Sequence, residues 1–369
     1  MIGNLFKDML KLADIKINGD RPWDIQVHNN QLFSRVVAEG ALGLGEAYMD
    51  GWWDCKQIDE FFCHIFKARV NEKLKKNIGN VIDVLLSRTF NLASKSRSFT
   101  YCSKHYNLGN DLYQAMLDKR MLYTCAYWKD ANNLDEAQEA KLELVCKKID
   151  LKPGMTVLDL GCGWGGFAKY AAEKYGVKVL GVTISKEQVE LGRELCKGLP
   201  VELRLQDYRE VKGHFDRVIS IGILEHVLHK NYRTYFEVVD RNLKDNGIAF
   251  VHTIGRNTSS TTGDRWIRKY IFQVGMLPSV KQIAQAMEGL FVWEDLHNFG
   301  PDYDKTLMAW DANFENAWPK LKEKYGNRFY RMWKYFLLQC AADFRTRGIQ
   351  LWQIVMTKPG TQQPPCRVI

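Results

Sequence analysis

Val157-Leu158-Asp159-Leu160-Gly161-Cys162-Gly163-Trp164-Gly165-Gly166 runs from an apolar stretch into four glycines within six residues, and a helical pattern over 167–175 follows at once. A buried strand that ends in a glycine turn and feeds a helix is the opening βα unit of a parallel sheet. There the backbone can turn sharply and approach a ligand closely at the strand's carboxyl edge. A merely structural turn would not call for acid, strand and helix in register around it.

The spacing discriminates between ligands. A dinucleotide fingerprint reads G-x-G-x-x-G and has an acid after the second strand. Here the glycines read G-x-G-x-G-G, Asp159 precedes the first of them, and the second strand runs out in Thr183. That pattern favours S-adenosylmethionine over NAD. Gly161 and Gly163 form the turn, and Asp159 has the charge to orient it and to attract the ligand's ammonium group. Thr183 and Gln188 are expected near the ribose, and Asp207 with Tyr208, at the end of the third strand, near the adenine.

Working outward, short β-branched runs alternate with amphipathic helical patterns from Met155 onward, as in a parallel sheet flanked by helices. Strands are expected over 157–160, 177–182, 202–205, 217–221, 248–253, 291–295 and 351–356, which fit the seven-stranded, Rossmann-like sheet of a class I methyltransferase. The fold class is α/β with a small, mostly helical N-terminal domain. In that domain Leu5, Phe6, Met9, Leu10 and Leu12 share a helix face, and a glycine- and aromatic-rich stretch follows through Gly43, Gly45, Gly51, Trp52 and Trp53. The expected division is a helical domain over 1–90, a linker over 91–104 and a catalytic domain over 105–369. No internal repeat or low-complexity tract is present.

The 369 residues, 46% of them hydrophobic, are enough to fill a core, so disorder is not the default. A net charge of +9 suits a partner that carries phosphates, nucleic acid or an anionic membrane face. Between Lys67 and Lys104 nine basic residues face only Glu72 and Asp83, a local excess that would draw the chain toward such a surface. No nucleic-acid-binding module accompanies the charge, so no nucleic acid partner is expected. Nine scattered cysteines without a C-x-x-C pair indicate neither a disulfide framework nor a zinc site. The first residues lack the basic and apolar regions of a signal peptide, and no apolar run nears a membrane span, so a soluble, cytoplasmic protein is expected.

Three further clusters stand where such sheets carry function. Gly222-Ile223-Leu224-Glu225-His226-Val227 follows the fourth strand; Val251-His252-Thr253-Ile254-Gly255 closes the fifth, with His252 and Ile254 on one side of the pleat; Tyr123-Thr124-Cys125-Ala126-Tyr127-Trp128 precedes the sheet and must fold over its mouth. Taken singly, each residue has a plainer reading: Cys125 a buried thiol, His252 and Tyr303 hydrogen-bonded packing residues, Glu225 an acid at a helix start. His226 and His229 have no third ligand in sight, and no metal is assigned.

Together with Gly43-Leu44-Gly45-Glu46-Ala47-Tyr48-Met49-Asp50-Gly51-Trp52-Trp53, Tyr106-Asn107-Leu108-Gly109-Asn110-Asp111, Val182-Thr183-Ile184-Ser185-Lys186-Glu187-Gln188 and Leu307-Met308-Ala309-Trp310, these motifs resemble the bacterial cyclopropane-fatty-acyl-phospholipid synthase family over about residues 15 to 357. The resemblance implies a methylene transfer from S-adenosylmethionine to the cis double bond of unsaturated acyl chains in membrane phospholipids. It implies a bound bicarbonate ion as the base, held by Cys125, Glu225, His252, Ile254 and Tyr303, with Cys125 and Ile254 contributing backbone N–H groups. Tyr123 and Thr124 join the cofactor-binding residues.

The reaction explains why an anion is wanted. An alkene attacks the sulfonium methyl without help, but the carbocation that results must lose a proton before water captures it. A homodimer formed through the N-terminal domain is implied, with the apolar faces around Phe61, Phe62, Ile65 and Phe66 available for it. Transient contact with the inner face of the membrane is expected, and 265–272, followed by Met276-Leu277-Pro278, combines cations with apolar anchors suited to a headgroup and a tunnel mouth. A solvated helix packing its apolar side on the core is the alternative there. The rivals are a related enzyme that stops at methylation and a non-enzymatic lipid-binding protein on an inherited fold.

Overall fold

The computed structural model describes residues 2–69 and 109–368. The expected 91–104 linker, the boundaries at 90 and 105, Tyr106-Asn107-Leu108 and nearly all of the basic stretch lie outside the described residues. These form two compact units. One takes the residues up to 69 with Thr262–Gln273 and Tyr303–Ile349, and the other takes 109–261, Val274–Asp302 and 350–368.

The second unit is built on a seven-stranded sheet: β1 Thr156–Leu160, β2 Lys178–Thr183, β3 Val201–Leu205, β4 Phe215–Ile221, β5 Leu243–Arg256, β6 Val292–Asn298 and β7 Ile349–Thr357. The spatial order is β3-β2-β1-β4-β5-β7-β6. The pairs β3–β2, β2–β1, β1–β4 and β4–β5 are parallel, and β6 runs antiparallel to β7. All seven expected strands are present, most of them longer than their sequence pattern.

Alternation along the strands sorts the core into two layers. Leu158, Leu160, Val218, Ala249 and Val251 face one cluster with Tyr235, Phe236 and Ile283. Val157, Val179, Ile219, Ile248 and Phe250 face the other, with Leu142, Val145 and Phe167. Both faces of the inner strands are covered, so β1, β2, β4, β5 and β7 carry apolar runs. The order of strands reverses between β1 and β4, and the carboxyl ends flanking that point are where ligands bind in open α/β sheets.

The first unit is helical apart from one two-residue strand pair, Gln26–Val27 with Trp53–Asp54. Its helices include Gln31–Glu39, Ala41–Met49, Ile58–Lys67, Arg265–Tyr270 and most of Pro301–Arg345, which is broken at Gly326. Two expectations are corrected here. Phe61, Phe62 and Ile65 are not an open dimer face: all three are buried, with Phe61 against Trp53 at 5.1 Å and Phe62 edge-on to Tyr335 at 5.1 Å. Nor is 265–272 a row of free anchors. Trp266 is fully buried, so close to Gly45 that an added Cβ there would lie 2.4 Å from its ring, while Lys269 and the Tyr270 hydroxyl bond Glu46 at 2.5 and 2.8 Å. That side of the helix packs on its own core, as the plainer reading has it.

Candidate active site

The glycine turn has the geometry its sequence implies. The N–H groups of Gly161 and Cys162 both donate to the Val182 carbonyl, at 2.8 and 3.0 Å, tying the end of β1 to β2. Gly161 has φ +81, and a Cβ on it would lie 1.9 Å from Ile223 Cδ1. Glycine is required twice over at that position, by conformation and by contact. The helix Gly166–Tyr175 starts directly behind the turn.

Beside the turn an open cavity, about 1280 Å³ with the solvent at its mouth included, is lined by the ends of β1, β2, β3 and β4 and by 121–124. Tyr123, Thr124, Asp159, Gly161, Gly163, Thr183, Gln188, Asp207 and Tyr208 all line it. Asp159 is 2% exposed, and burial pushes its carboxyl up to about 7 against the lowering influence of Lys141. Thr183 donates to Gln188 Oε1 at 2.8 Å, so these two reach the cavity as a bonded pair. Asp207 is held by Arg209, whose backbone N–H, Nε and Nη2 reach its carboxylate at 2.9, 2.8 and 2.6 Å. Burial pushes the Tyr208 hydroxyl up to about 12, so it stays protonated as a donor.

Two polar residues that the sequence reading passed over stand behind 121–124, and one of them, Lys141, lines the cavity. On the helix Leu134–Lys148, Gln138 and Lys141 are fully buried, among Leu134, Ala137, Leu142, Val145 and Cys146. Gln138 Nε2 donates to the carbonyls of Leu122 and Thr124 at 3.3 and 2.9 Å, and Lys141 Nζ donates to Thr124 Oγ1 at 2.9 Å. The signal was available: polar residues at the i+4 and i+7 positions of an apolar stripe demand partners.

A second corner lies at the carboxyl ends of β4 and β5. Glu225, 7% exposed, accepts from the Ile254 N–H at 2.6 Å through Oε1, while Oε2 is buried with no partner among the described residues. Burial pushes this carboxyl up to about 7. His252, 1% exposed, stands two residues before Ile254 on β5. Burial, and then the cations Lys141 and Lys148, hold its imidazole well below the ordinary range, so it is neutral at pH 7.

Gln353 Nε2 lies 3.4 Å from His252 Nδ1, and His252 Nε2 is buried with no partner among the described residues. A donor at Nδ1 fixes the tautomer that carries its proton on Nε2. Cys125 is buried and its thiol donates to the Ala126 carbonyl at 3.2 Å. Glu225, His252 and Cys125 are not part of the cavity wall, which in this direction reaches Gly222, Ile223 and His226.

One expectation changes: the Ile254 N–H, assigned to the ion, is bonded to Glu225. A buried carboxylate oxygen takes the nearest donor, and the register of β5 presents that one. Tyr303 belongs to the other unit, where it stacks on Phe344 with ring centroids 4.5 Å apart. Its predecessor Asp302 accepts from the Trp128 N–H at 2.7 Å.

Comparison with known proteins follows the same geometry. The mycolic acid cyclopropane synthetase family matches residues 93–354. The cyclopropane-fatty-acyl-phospholipid synthase of Escherichia coli (strain K12) is 53% identical over 351 residues, covering 95% of this chain and 92% of that protein. The chain belongs to the mycolic acid cyclopropane synthetase family. The cyclopropane synthase MmaA2 from Mycobacterium tuberculosis superposes with a TM-score of 0.67 at 28% identity, over 70% of this chain and 98% of that one. The mycolic acid cyclopropane synthase CmaA1 complexed with SAH and CTAB gives 0.67 at 31% identity, over 70% and 98%. Within this family the α/β unit is the class I methyltransferase fold, and the protein is an enzyme.

Proposed function

We propose that this enzyme transfers a methylene group from S-adenosylmethionine to the cis double bond of unsaturated acyl chains in membrane phospholipids. S-Adenosylmethionine supplies the methyl carbon, and a bicarbonate ion accepts the proton that the alkylated chain must lose. The likeness to the Escherichia coli synthase over 95% of the chain supports the substrate, and the SAH bound to CmaA1 supports the cofactor.

The observation that carries the chemistry is the pair of orphaned buried atoms, Glu225 Oε2 and His252 Nε2. An anion with both an O–H and charged oxygens would satisfy the two together: Glu225 accepts the ion's O–H, and neutral His252 donates from Nε2 to an oxygen. The Ile254 N–H fixes Glu225, Cys125 stays a buried thiol and supplies backbone, and Tyr303 is the remaining ligand of the set. Asp159 pairs with the cofactor's ammonium; Tyr123, Thr183, Gln188, Asp207 and Tyr208 hold the rest. The apolar walls keep out the water that would otherwise capture a carbocation.

Cytoplasmic location, transient contact with the inner face of the membrane, assembly as a homodimer and the division at 1–90, 91–104 and 105–369 complete the proposal. Among the described residues no helix is long and apolar enough to cross a membrane.

The test is incubation with S-adenosylmethionine and unsaturated phospholipid vesicles, followed by gas chromatography of the fatty esters. A gain of CH₂ with loss of the double bond is expected. A methyl branch with retained unsaturation would mean an enzyme that stops at methylation, and no addition would favour a binding protein. Turnover in bicarbonate-depleted buffer should fall and return on adding bicarbonate; undiminished turnover removes that ion as the base.

A further inference from the structure

Lys141 is fully buried, yet it ends in the wall of the cofactor cavity, with Asp159 in that same wall. Its ammonium donates to Thr124 Oγ1 at 2.9 Å. Asp118 and Asp159 are the carboxylates that act on it most strongly, and they hold its proton against burial, which pushes it down to about 8. An ammonium is costly to bury, and a neutral side chain would pack on this apolar stripe without that penalty.

The bond to Thr124 has a directional consequence. A threonine hydroxyl has one proton and two lone pairs. Because Lys141 has only protons to give, the Thr124 oxygen is the acceptor, and its own proton must go elsewhere. No other hydrogen bond is made by that hydroxyl among the described residues. The threonine methyl is on the side of Gly222, where an added Cβ would lie 3.0 Å from Thr124 Cγ2, and Gln138 pins the Thr124 carbonyl at 2.9 Å. Thr124 lines the cavity, so an O–H polarised by a buried cation is offered there. Such a donor suits an anionic group, while Asp159 in the same wall suits a cationic one. S-Adenosylmethionine has one group of each kind side by side, the carboxylate and ammonium of its amino-acid end.

We propose that Lys141 is a positioning residue of the cofactor site, which turns the Thr124 hydroxyl proton into the cavity to meet the carboxylate at the amino-acid end of S-adenosylmethionine, opposite the ammonium held by Asp159. This rests on S-adenosylmethionine being the cofactor. Gln138 and Lys141, three residues apart on one helix, thus hold Thr124 by its carbonyl and its hydroxyl.

The experiment compares calorimetric affinities for S-adenosylhomocysteine, which has the amino-acid end, and 5′-methylthioadenosine, which lacks it. Lys141→Met should weaken S-adenosylhomocysteine by about 10- to 100-fold, the worth of a charge-assisted hydrogen bond, and leave 5′-methylthioadenosine within about twofold. Lys141→Arg should restore part of the loss. Adding Thr124→Val to Lys141→Met should cost little more, since the two act as one unit. Should Lys141→Met fail to fold, Thr124→Val against Thr124→Ser carries the same comparison, with selective loss for Val and recovery for Ser. Equal weakening of both ligands, or additive losses in the double variant, would overturn the proposal. Wild-type protein that binds neither ligand would overturn the cofactor reading and this inference with it.

Discussion

Two pairs of buried ionisable groups in the α/β unit are treated in opposite ways. In the cavity wall Lys141 and Asp159 moderate one another: burial drives both toward neutrality and each opposes that drive in the other. At the ends of β4 and β5, Glu225 and His252 have no such compensation, and each is pushed toward its uncharged form with a polar atom left over. A site that binds a fixed charge pair benefits from compensated charges. At the second corner Glu225, near 7, can exchange a proton at neutral pH, while His252, held well below its ordinary range, stays a neutral hydrogen-bond donor.

The comparison breaks most readily at Glu225. Glu225→Gln is isosteric and keeps an acceptor for the Ile254 N–H, but it cannot take a proton. Turnover on unsaturated vesicles should fall by about 10²- to 10⁴-fold while the affinity for S-adenosylhomocysteine holds. Equal loss of both would mean that the two corners are one site. The converse test is Gly161→Ala, whose Cβ at φ +81 would strike Ile223. Affinity for S-adenosylhomocysteine should drop by at least about tenfold, and Ile223→Ala in the same chain should recover only part, because the backbone strain remains.

A smaller effect is expected at Gln353. Gln353→Leu removes the donor to His252 Nδ1 and should lower kcat by roughly tenfold, as a general-acid–base contribution is weakened rather than removed. Gln353→Glu, which would instead accept from Nδ1, should do more damage, and nitrogen NMR of the imidazole reads the tautomer directly.

The smallest signal is in stability. The folded chain keeps the Glu225 proton up to about 7, whereas the unfolded chain releases it around 4.5. Between those values the native state binds more protons, so this group's contribution to stability falls as pH rises. Glu225→Gln lacks the titration. Its melting temperature relative to wild type should therefore climb from about pH 4.5, by several degrees in all, and level off above about pH 7. A flat difference would place the Glu225 carboxyl in a wetter setting than its burial indicates.

Much of this was legible in the residues. The inner strands could be read because both their faces are buried and their apolar runs are bounded by turns, whereas the edge strands Val201–Leu205 and Val292–Asn298 are half-exposed and carry a weaker signal. The cofactor turn was legible for a different reason: glycines, an acid and a helix start are adjacent in sequence, so their relation survives without the fold. Gln138 and Lys141 went unread although their stripe position was visible, because a buried lysine has meaning only once its partner Thr124, seventeen residues back, is known. The apolar faces read as open at 265–272 and around Phe61 are covered, which went unread for a related reason. An apolar face announces that it will be covered but does not say by what; here Tyr335 and Gly45 cover it.

The sequence by itself determined the sheet, the glycine turn and the kinds of group gathered at the strand ends, because each is written in a contiguous stretch under local steric rules. Only the tertiary structure decided which donor meets which acceptor: Ile254 with Glu225, Gln353 with His252, Lys141 with Thr124. Hydrogen bonds reach about 3 Å and depend on direction, so they are set by strand register and helix placement, which no single stretch of chain contains.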